Sequence, residues 1–222
     1  MSLYTSDDPY YGSYYWTNDT MLKLKCYWNS NVVRIPLIVA GSAGYINDTE
    51  TNYKKVIGAI EAAIETGIYI IVDWHAFDDY LNYSLPFFAN ISALYGQYPH
   101  VIYETYNEPS WADSWTTLKN YHIPVINAIR ANDPDNIIIV GTPRSDVDVD
   151  IAATSPINMT NIAYTLHYYT NLNESNFQVK GQNASNMGLP IFVTEYGVCS
   201  TYGNGTVNYN VTKDFWNFLG KV

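Results

Sequence analysis

Positive charge is scarce in this sequence, which has 11 lysines and arginines against 21 aspartates and glutamates and a formal net charge of −10. Binding of nucleic acid needs a basic face for the phosphates, so we expect no nucleic-acid partner. Long apolar runs are also missing, since none approaches the roughly 18 residues that span a bilayer. We therefore expect no membrane segment. An acidic surface fits a secreted protein whose ligands are neutral polymers.

Cysteine is almost absent, because Cys26 and Cys199 are the only two. They allow a single disulfide. The local patterns place Cys26 late in a helix and Cys199 just past a strand tip. In a barrel those two positions lie at opposite ends, so we expect two free thiols.

Motifs for nucleotides and metals are missing as well. The sequence contains no G-x-G-x-x-G or Walker pattern, and no H-x-H or H-E-x-x-H ligand spacing. We therefore expect neither a cofactor nor a metal. A metal-dependent hydrolase built on Asp73, His75 and His167 is kept as an alternative.

Apolar, strand-like runs alternate with helix-like segments along the chain. The predicted strands are 31–37, 68–75, 101–108, 136–141, 162–169 and 190–197. The predicted helices are 49–66, followed by Gly67 as the C′ glycine, and 85–98, 115–131 and 210–219. Repeated strand-then-helix units predict a parallel sheet with right-handed crossovers, either in a (β/α)8 barrel or in a doubly wound open sheet.

Polar side chains at the carboxyl ends of the predicted strands favour the barrel, because barrel active sites collect at that end. These residues are Arg34, His75, Asn107, Glu108, His167, Tyr169 and Glu195. Two of them are carboxylates on separate strand tips, which is what a glycosidase requires. Glu104 shares the side-chain parity of Glu108 but lies deeper, and we expect it to be an interior partner of Arg34.

Several other side chains have open or minor roles. Asp73 is expected to position a neighbour. Five loop residues are expected to be solvated or to lie at a rim: Asp78, Asp79, Asp146, Asp148 and Asp150. Aromatic residues make up 16% of the chain, and flat rings can stack on sugar faces. Trp74, Trp111 and Trp115 flank the polar motifs and are either sugar platforms or packing residues.

Five motifs, in this order and spacing, resemble glycoside hydrolase family 5, particularly its endo-β-1,4-glucanases, the cellulases. They are Val33-Arg34, Asp73-Trp74-His75, Tyr106-Asn107-Glu108-Pro109, Leu166-His167-Tyr168-Tyr169 and Thr194-Glu195-Tyr196-Gly197. The resemblance implies a (β/α)8 TIM barrel and a retaining mechanism, with Glu108 as acid/base and Glu195 as nucleophile. It also implies substrate-binding roles for Asn107, at the sugar 2-hydroxyl, and for Arg34, His75, His167 and Tyr169.

Both ends of the chain depart from the family pattern. Met1-Ser2-Leu3 resembles the end of the first strand, and no eighth βα unit follows Val222. We therefore expect residues 1–222 to form a single catalytic barrel domain that is incomplete at both ends. The first twenty residues lack the apolar core of a signal peptide, so the export signal was removed or the chain is a fragment.

The function predicted from these observations is that of a retaining endo-β-1,4-glucanase, which cleaves internal bonds of cellulose-type polysaccharides. A β-mannanase, a xylanase or a non-catalytic glycan-binding remnant are the alternatives. A monomer is expected. Nine N-x-S/T sequons favour a secreted, extracellular glycoprotein. They begin at Asn18, Asn47, Asn82, Asn90, Asn158, Asn173, Asn183, Asn204 and Asn210.

Overall fold

The computed structural model describes residues 12–171, 176–202 and 204–220. Six strands form one parallel sheet in the order β1-β2-β3-β4-β5-β7, and β6 and β8 form a second parallel pair. The strands are β1 (Val32–Ile38), β2 (Tyr69–His75), β3 (Val101–Glu104), β4 (Ile138–Val140), β5 (Ile162–Thr165), β6 (Tyr168–Tyr169), β7 (Ile191–Phe192) and β8 (Tyr196–Gly197). Sheet order follows chain order, as expected of successive βα units.

Helices connect the strands of the large sheet. They are α1 (Asn18–Cys26), α2 (Thr49–Thr66), α3 (Leu81–Tyr95), α4 (Trp115–Arg130), α5 (Pro143–Asp146), α6 (Val149–Ala153), α7 (Phe177–Asn186) and α8 (Tyr209–Leu219), with a 3-10 turn at Ser13–Tyr15. The segment α5 is a single turn in which residues 144–146 have positive φ, so it is not a regular right-handed helix. Helix α2 confirms the prediction at both ends. The Asp48 side chain caps it by accepting a hydrogen bond from the Thr51 N–H, and Gly67 ends it with φ 69°.

The large sheet has an inner core of four side chains from neighbouring strands, Ile71, Ile102, Ile139 and Ala163. The outer faces of the strands pack on the helices in a much larger apolar core. Two residues beyond Ile71 and Ile102, in the same side-chain direction, lie Asp73 and Glu104, which are register partners. The inner core therefore ends where a layer of buried acidic side chains begins.

Several strands are shorter than predicted. Strand β3 ends at Glu104, although the chain stays beside its neighbours: the Thr105 N–H donates to the Ile139 carbonyl at 3.0 Å and the Asn107 N–H to the Trp74 carbonyl at 3.0 Å. The backbone leaves the regular ladder before it reaches Glu108. Strands β5 and β7 also end early, and their continuations pair separately as β6 and β8. The bends occur in the segments that carry the polar side chains.

Other expectations concern helices, thiols and termini. Helix α3 begins four residues earlier than predicted because the Asp79 side chain accepts a hydrogen bond from the Leu81 N–H at 2.8 Å.

Cys26, which is exposed, and Cys199, which is half-buried, are free thiols. In the part of the chain that the structure describes, no helix has the length and apolar character to cross a membrane. The segment Met1-Ser2-Leu3 lies outside the described residues.

Candidate active site

The guanidinium of Arg34 joins the polar side chains at the carboxyl end of the sheet. It binds Glu104 twice, from Nε at 2.6 Å and from Nη2 at 3.1 Å. Nη2 also contacts Asp73 at 2.8 Å and donates to Asn107 Oδ1 at 2.8 Å. Nη1 donates to Glu195 Oε2 at 3.1 Å. Arg34 is buried, and the expected pairing of Glu104 with Arg34 is confirmed.

Glu195 follows β7 and presents its carboxylate to Arg34 on one side and to Tyr169 on the other. The Tyr169 hydroxyl donates to Oε1. Burial alone would raise the pKa of Glu195, but the nearby His167, Arg34 and the hydrogen bond from Tyr169 together lower it. The ring of Tyr169 passes so close to Gly197 that a Cβ there would lie 2.3 Å from Tyr169 Cδ1. Glycine at 197 is therefore needed to place Tyr169 against Glu195.

Glu108 lies in a short left-handed bend, with φ 23°, directly after Asn107. Its backbone N–H donates to Asp146 Oδ2 at 2.9 Å, and its Oε1 lies 3.2 Å from His167 Nδ1. One oxygen of Glu108, one of Glu195 and a ring nitrogen of His167 all lie within 4.8 Å of one another. The two carboxylates and the imidazole therefore lie side by side at the carboxyl end of the sheet.

His167 is buried among three acidic groups. Nδ1 faces Glu108, while Nε2 lies 2.9 Å from Thr194 Oγ1 and 3.7 Å from Asp146 Oδ2. Burial alone would lower the pKa of His167, but the carboxylate of Asp146, the hydrogen bond to Glu108 and the charge of Glu195 raise it to about 9. The raised pKa favours the imidazolium form of His167.

His75 and Asn107 complete the group. His75 Nδ1 lies 2.8 Å from Asp73 Oδ2, so Asp73 orients that ring, as expected. The Asn107 side chain is buried, and its Oδ1 accepts a hydrogen bond from Arg34. Its Nδ2 is buried without a hydrogen-bond partner among the described residues. A buried amide donor without a partner marks a position at which a ligand oxygen would be favourable.

The prediction that the aspartates of the loop after β4 are solvated or lie at a rim is wrong for two of them. Asp146 is 0% exposed and Asp148 is 4% exposed. Asp146 accepts from the backbone N–H groups of Thr142, at 2.6 Å, and Glu108. Asp148 forms ion pairs with two basic side chains. Asp78 and Asp79 are exposed, as expected, and Asp150 is half-buried.

The tryptophans have different roles. Trp74 is fully buried among aromatic rings, and Trp115 is buried with its Nε1–H donating to the Ser155 carbonyl at 2.8 Å. Both are therefore packing residues. Trp111 is 65% exposed, and the Arg144 guanidinium lies 4.5 Å from its ring centre. Of the three, Trp111 alone is available as a platform.

One group of possible metal ligands converges within the described residues, and it is Glu108, His167 and Glu195. The metal-dependent alternative required Asp73 and His75 to join His167, and neither belongs to that group. The guanidinium of Arg34 also lies beside Glu195, where its positive charge opposes a bound cation. The arrangement suits acid–base chemistry by two carboxylates better than metal binding.

The sequence agrees with this geometry. The family model described as Cellulase (glycosyl hydrolase family 5) matches residues 1–221. The chain belongs to glycosyl hydrolase family 5. The resemblance of the five motifs is thereby confirmed. Among relatives, endoglucanase Z of Dickeya dadantii is 43% identical over 98% of this chain and 52% of that protein. An endoglucanase of Clostridium saccharobutylicum is 38% identical over 90% of this chain and 46% of that protein.

Solved structures of the cellulase family share the fold. A structure from Cytophaga hutchinsonii has a TM-score of 0.93 at 37% identity and covers 99% of this chain and 72% of that chain. The catalytic domain of Thermobifida fusca endoglucanase Cel5A has a TM-score of 0.86 at 29% identity, covering 92% and 70%. The six-stranded parallel sheet with its helices fits the (β/α)8 barrel. The chain spans about half the length of the curated relatives it matches.

Replacing Arg34 by methionine should reduce the free energy of unfolding by about 3–5 kcal/mol, because buried carboxylates lose their cation. Urea unfolding at pH 7 measures this change. Arg130→Met is the matched control, since Arg130 donates to the backbone carbonyls of Asp133, Asn136 and Thr160. Its loss should be smaller, roughly 1–2 kcal/mol. Equal losses in the two variants would contradict the central role of Arg34.

Proposed function

We propose that this chain is the catalytic part of a retaining endo-β-1,4-glucanase that hydrolyses internal bonds of cellulose-type polysaccharides. The observation that carries the proposal is the pair Glu108 and Glu195, whose carboxylate oxygens approach within 4.8 Å. Retaining glycosidases need carboxyl groups about 5–5.5 Å apart, whereas inverting enzymes need about 6.5–9.5 Å to admit a water molecule. The short separation supports retention.

Glu195 is suited to be the nucleophile because Arg34 and Tyr169 stabilise its ionised form. In the first step, a Glu195 oxygen bonds to the anomeric carbon while the glycosidic bond breaks. Glu108, in its acid form, gives its proton to the departing oxygen. The products of this step are a glycosyl ester on Glu195 and a shortened glycan with a new hydroxyl.

The second step returns both carboxylates to their starting state. Glu108, now ionised, takes a proton from water as the water oxygen attacks the anomeric carbon. The ester bond to Glu195 breaks, and the sugar leaves with the β configuration retained. The Nδ2 of Asn107, which has no hydrogen-bond partner among the described residues, is the proposed donor to the sugar 2-hydroxyl, and such a bond strengthens in the transition state. His75 and His167 are proposed to line the same subsite.

A β-1,4-glucan is the proposed substrate for two reasons. The relatives matched along the chain bear the name endoglucanase, and a substituted variant of Thermobifida fusca Cel5A has been solved in complex with cellotetraose. A β-mannanase or xylanase would use the same two carboxylates, and the orientation of the sugar 2-hydroxyl separates them. Hydrolysis of carboxymethyl cellulose, glucomannan and xylan, compared at equal enzyme concentration, decides between these substrates.

Glu195→Ala should reduce turnover of 2,4-dinitrophenyl β-cellobioside by at least about 10⁴-fold, because the covalent step loses its nucleophile. Initial rates give the comparison, and NMR of the first product should show the β anomer. Glu50→Ala is the control, because Glu50 is an exposed residue that pairs with Lys54 on the surface of α2, and its loss should leave the rate unchanged. Equal rates for wild type and Glu195→Ala would favour a non-catalytic glycan-binding protein.

Tyr169→Phe should move the acid limb of the kcat/KM pH profile to higher pH. The Tyr169 hydroxyl helps to lower the pKa of Glu195, and activity is present above that pKa and lost as pH falls through it. Removing the donor raises the pKa, so the loss begins at higher pH. Tyr168→Phe is the matched control, because that ring stacks on Phe215 and Tyr196 instead. An unshifted acid limb in Tyr169→Phe would contradict the assignment.

We also infer that the protein is secreted, glycosylated and monomeric, with residues 1–222 as one catalytic domain. Eight of the nine sequon asparagines lie in the described residues and all are exposed: Asn18, Asn47, Asn82, Asn90, Asn158, Asn183, Asn204 and Asn210. Protein from the culture medium of its source should therefore move faster on a denaturing gel after peptide N-glycosidase treatment. Unchanged mobility, or protein found only inside cells, would contradict this inference.

A further inference from the structure

Three consecutive residues after β4 adopt left-handed backbone conformations, and none of them is glycine. Arg144, Ser145 and Asp146 have φ of 58°, 57° and 63°. Such conformations are strained for residues other than glycine, and strain of this kind persists only where surrounding contacts compensate for it. Glu108, on the neighbouring loop, also has positive φ. The two strained segments are in direct contact, so the same contacts can stabilise both of them.

The contact between the two segments is made by the buried carboxylate of Asp146. Oδ2 accepts the Glu108 N–H at 2.9 Å, and Oδ1 accepts the Thr142 N–H at 2.6 Å. The Ser145 N–H donates to the Pro109 carbonyl at 3.0 Å, so the loop after β4 holds the peptides on both sides of the Glu108–Pro109 bond. Because the carboxylate is tied to the end of β4, it fixes the Glu108 backbone relative to the sheet.

Asp146 also faces the side chain that contacts the Glu108 carboxylate. The backbone N–H of His167 donates to the backbone carbonyl of Asp146 at 2.9 Å. In addition, the ring nitrogen Nε2 of His167 lies 3.7 Å from Asp146 Oδ2. Burial raises the pKa of Asp146, while His167 and the Thr142 N–H oppose that rise. On its other side, His167 Nδ1 lies 3.2 Å from Glu108 Oε1, so the His167 ring lies between Asp146 and the Glu108 carboxylate.

We propose that Asp146 is a positioning residue for Glu108, acting on its backbone N–H directly and on its carboxylate through His167. This inference rests on the proposed function, in which Glu108 is the acid/base. Loss of Asp146 should therefore impair proton donation to the leaving group more than it impairs attack by Glu195. If Asp146 were merely structural, its loss would weaken proton donation and nucleophilic attack by the same factor.

The leaving group separates these two outcomes. Cleavage of phenyl β-cellobioside needs a proton from Glu108, whereas the acidic 2,4-dinitrophenol needs little help. In Asp146→Asn, kcat/KM for the phenyl substrate should fall about 10- to 100-fold, as expected of a misplaced catalytic group. For the dinitrophenyl substrate it should fall less than about 3-fold.

Asp148→Asn is the matched control. Asp148 lies in the same loop and is also buried, but its carboxylate pairs with Lys180 and Arg144, whereas that of Asp146 binds the Glu108 N–H. In Asp148→Asn, kcat/KM should fall by the same factor for the phenyl and the dinitrophenyl substrate. An Asp146→Asn variant that also loses both activities equally would overturn the proposal.

Amide hydrogen exchange at Glu108 tests the contact without any turnover. In wild-type protein this loop amide should be protected to a similar degree as the Thr105 amide, which bonds to the neighbouring strand. In Asp146→Asn or Asp146→Ala it should exchange at least about 10-fold faster, and in Asp148→Asn it should not change. Fast exchange in wild type would overturn the proposal. Inactivity of the wild type on both cellobiosides would instead refute the proposed function. Amide exchange at Glu108 would then still test whether Asp146 holds the Glu108 backbone.

Discussion

The buried guanidinium of Arg34 determines how the acidic groups of this site can coexist. Asp73, Glu104 and Glu195 come from three different parts of the sheet, and each contacts that one cation. Without it, the burial of several carboxylates would be prohibitive, since an unpaired buried charge costs several kcal/mol. Arg34 Cα is level with Ile71 in the sheet, one layer below Asp73, so its long side chain rises from the apolar core into the acidic layer.

The parallel sheet gives this cation its position. Side chains of β1, β2 and β3 that share one direction form an apolar layer first and a charged layer next, because the side-chain period along a strand is two residues. Glu104 and Asp73 are register partners and are held from the same side. Glu195 is partly accessible, so among these three carboxylates it is the one that a substrate can reach.

A second network orders the other carboxylate. Glu108 is held through its peptide by Asp146 and through its side chain by His167, and Asp146 and His167 also contact each other. The two carboxylates thus have different surroundings. Glu195 faces an arginine and a tyrosine hydroxyl that favour its charge, whereas Glu108 lies on a strained loop between β3 and α4. This asymmetry fits the proposed double displacement, in which one carboxylate is the nucleophile and the other the acid/base.

The sequence by itself determined the family, the barrel class and seven polar residues that the structure brings to one end of the sheet. It could do so because parallel strands present their carboxyl ends at one edge, so residues at strand tips are neighbours whatever their separation along the chain. The interior position of Glu104 was likewise predictable, because its side chain points in the same direction along the strand as that of Glu108. Asp146 was not, since its local sequence is like that of an exposed loop and its partners lie 38 and 21 residues away in the chain. Only the tertiary structure decided its burial, the ends of the strands and the packing of Trp74 and Trp115, because each depends on contacts between segments that no local pattern encodes.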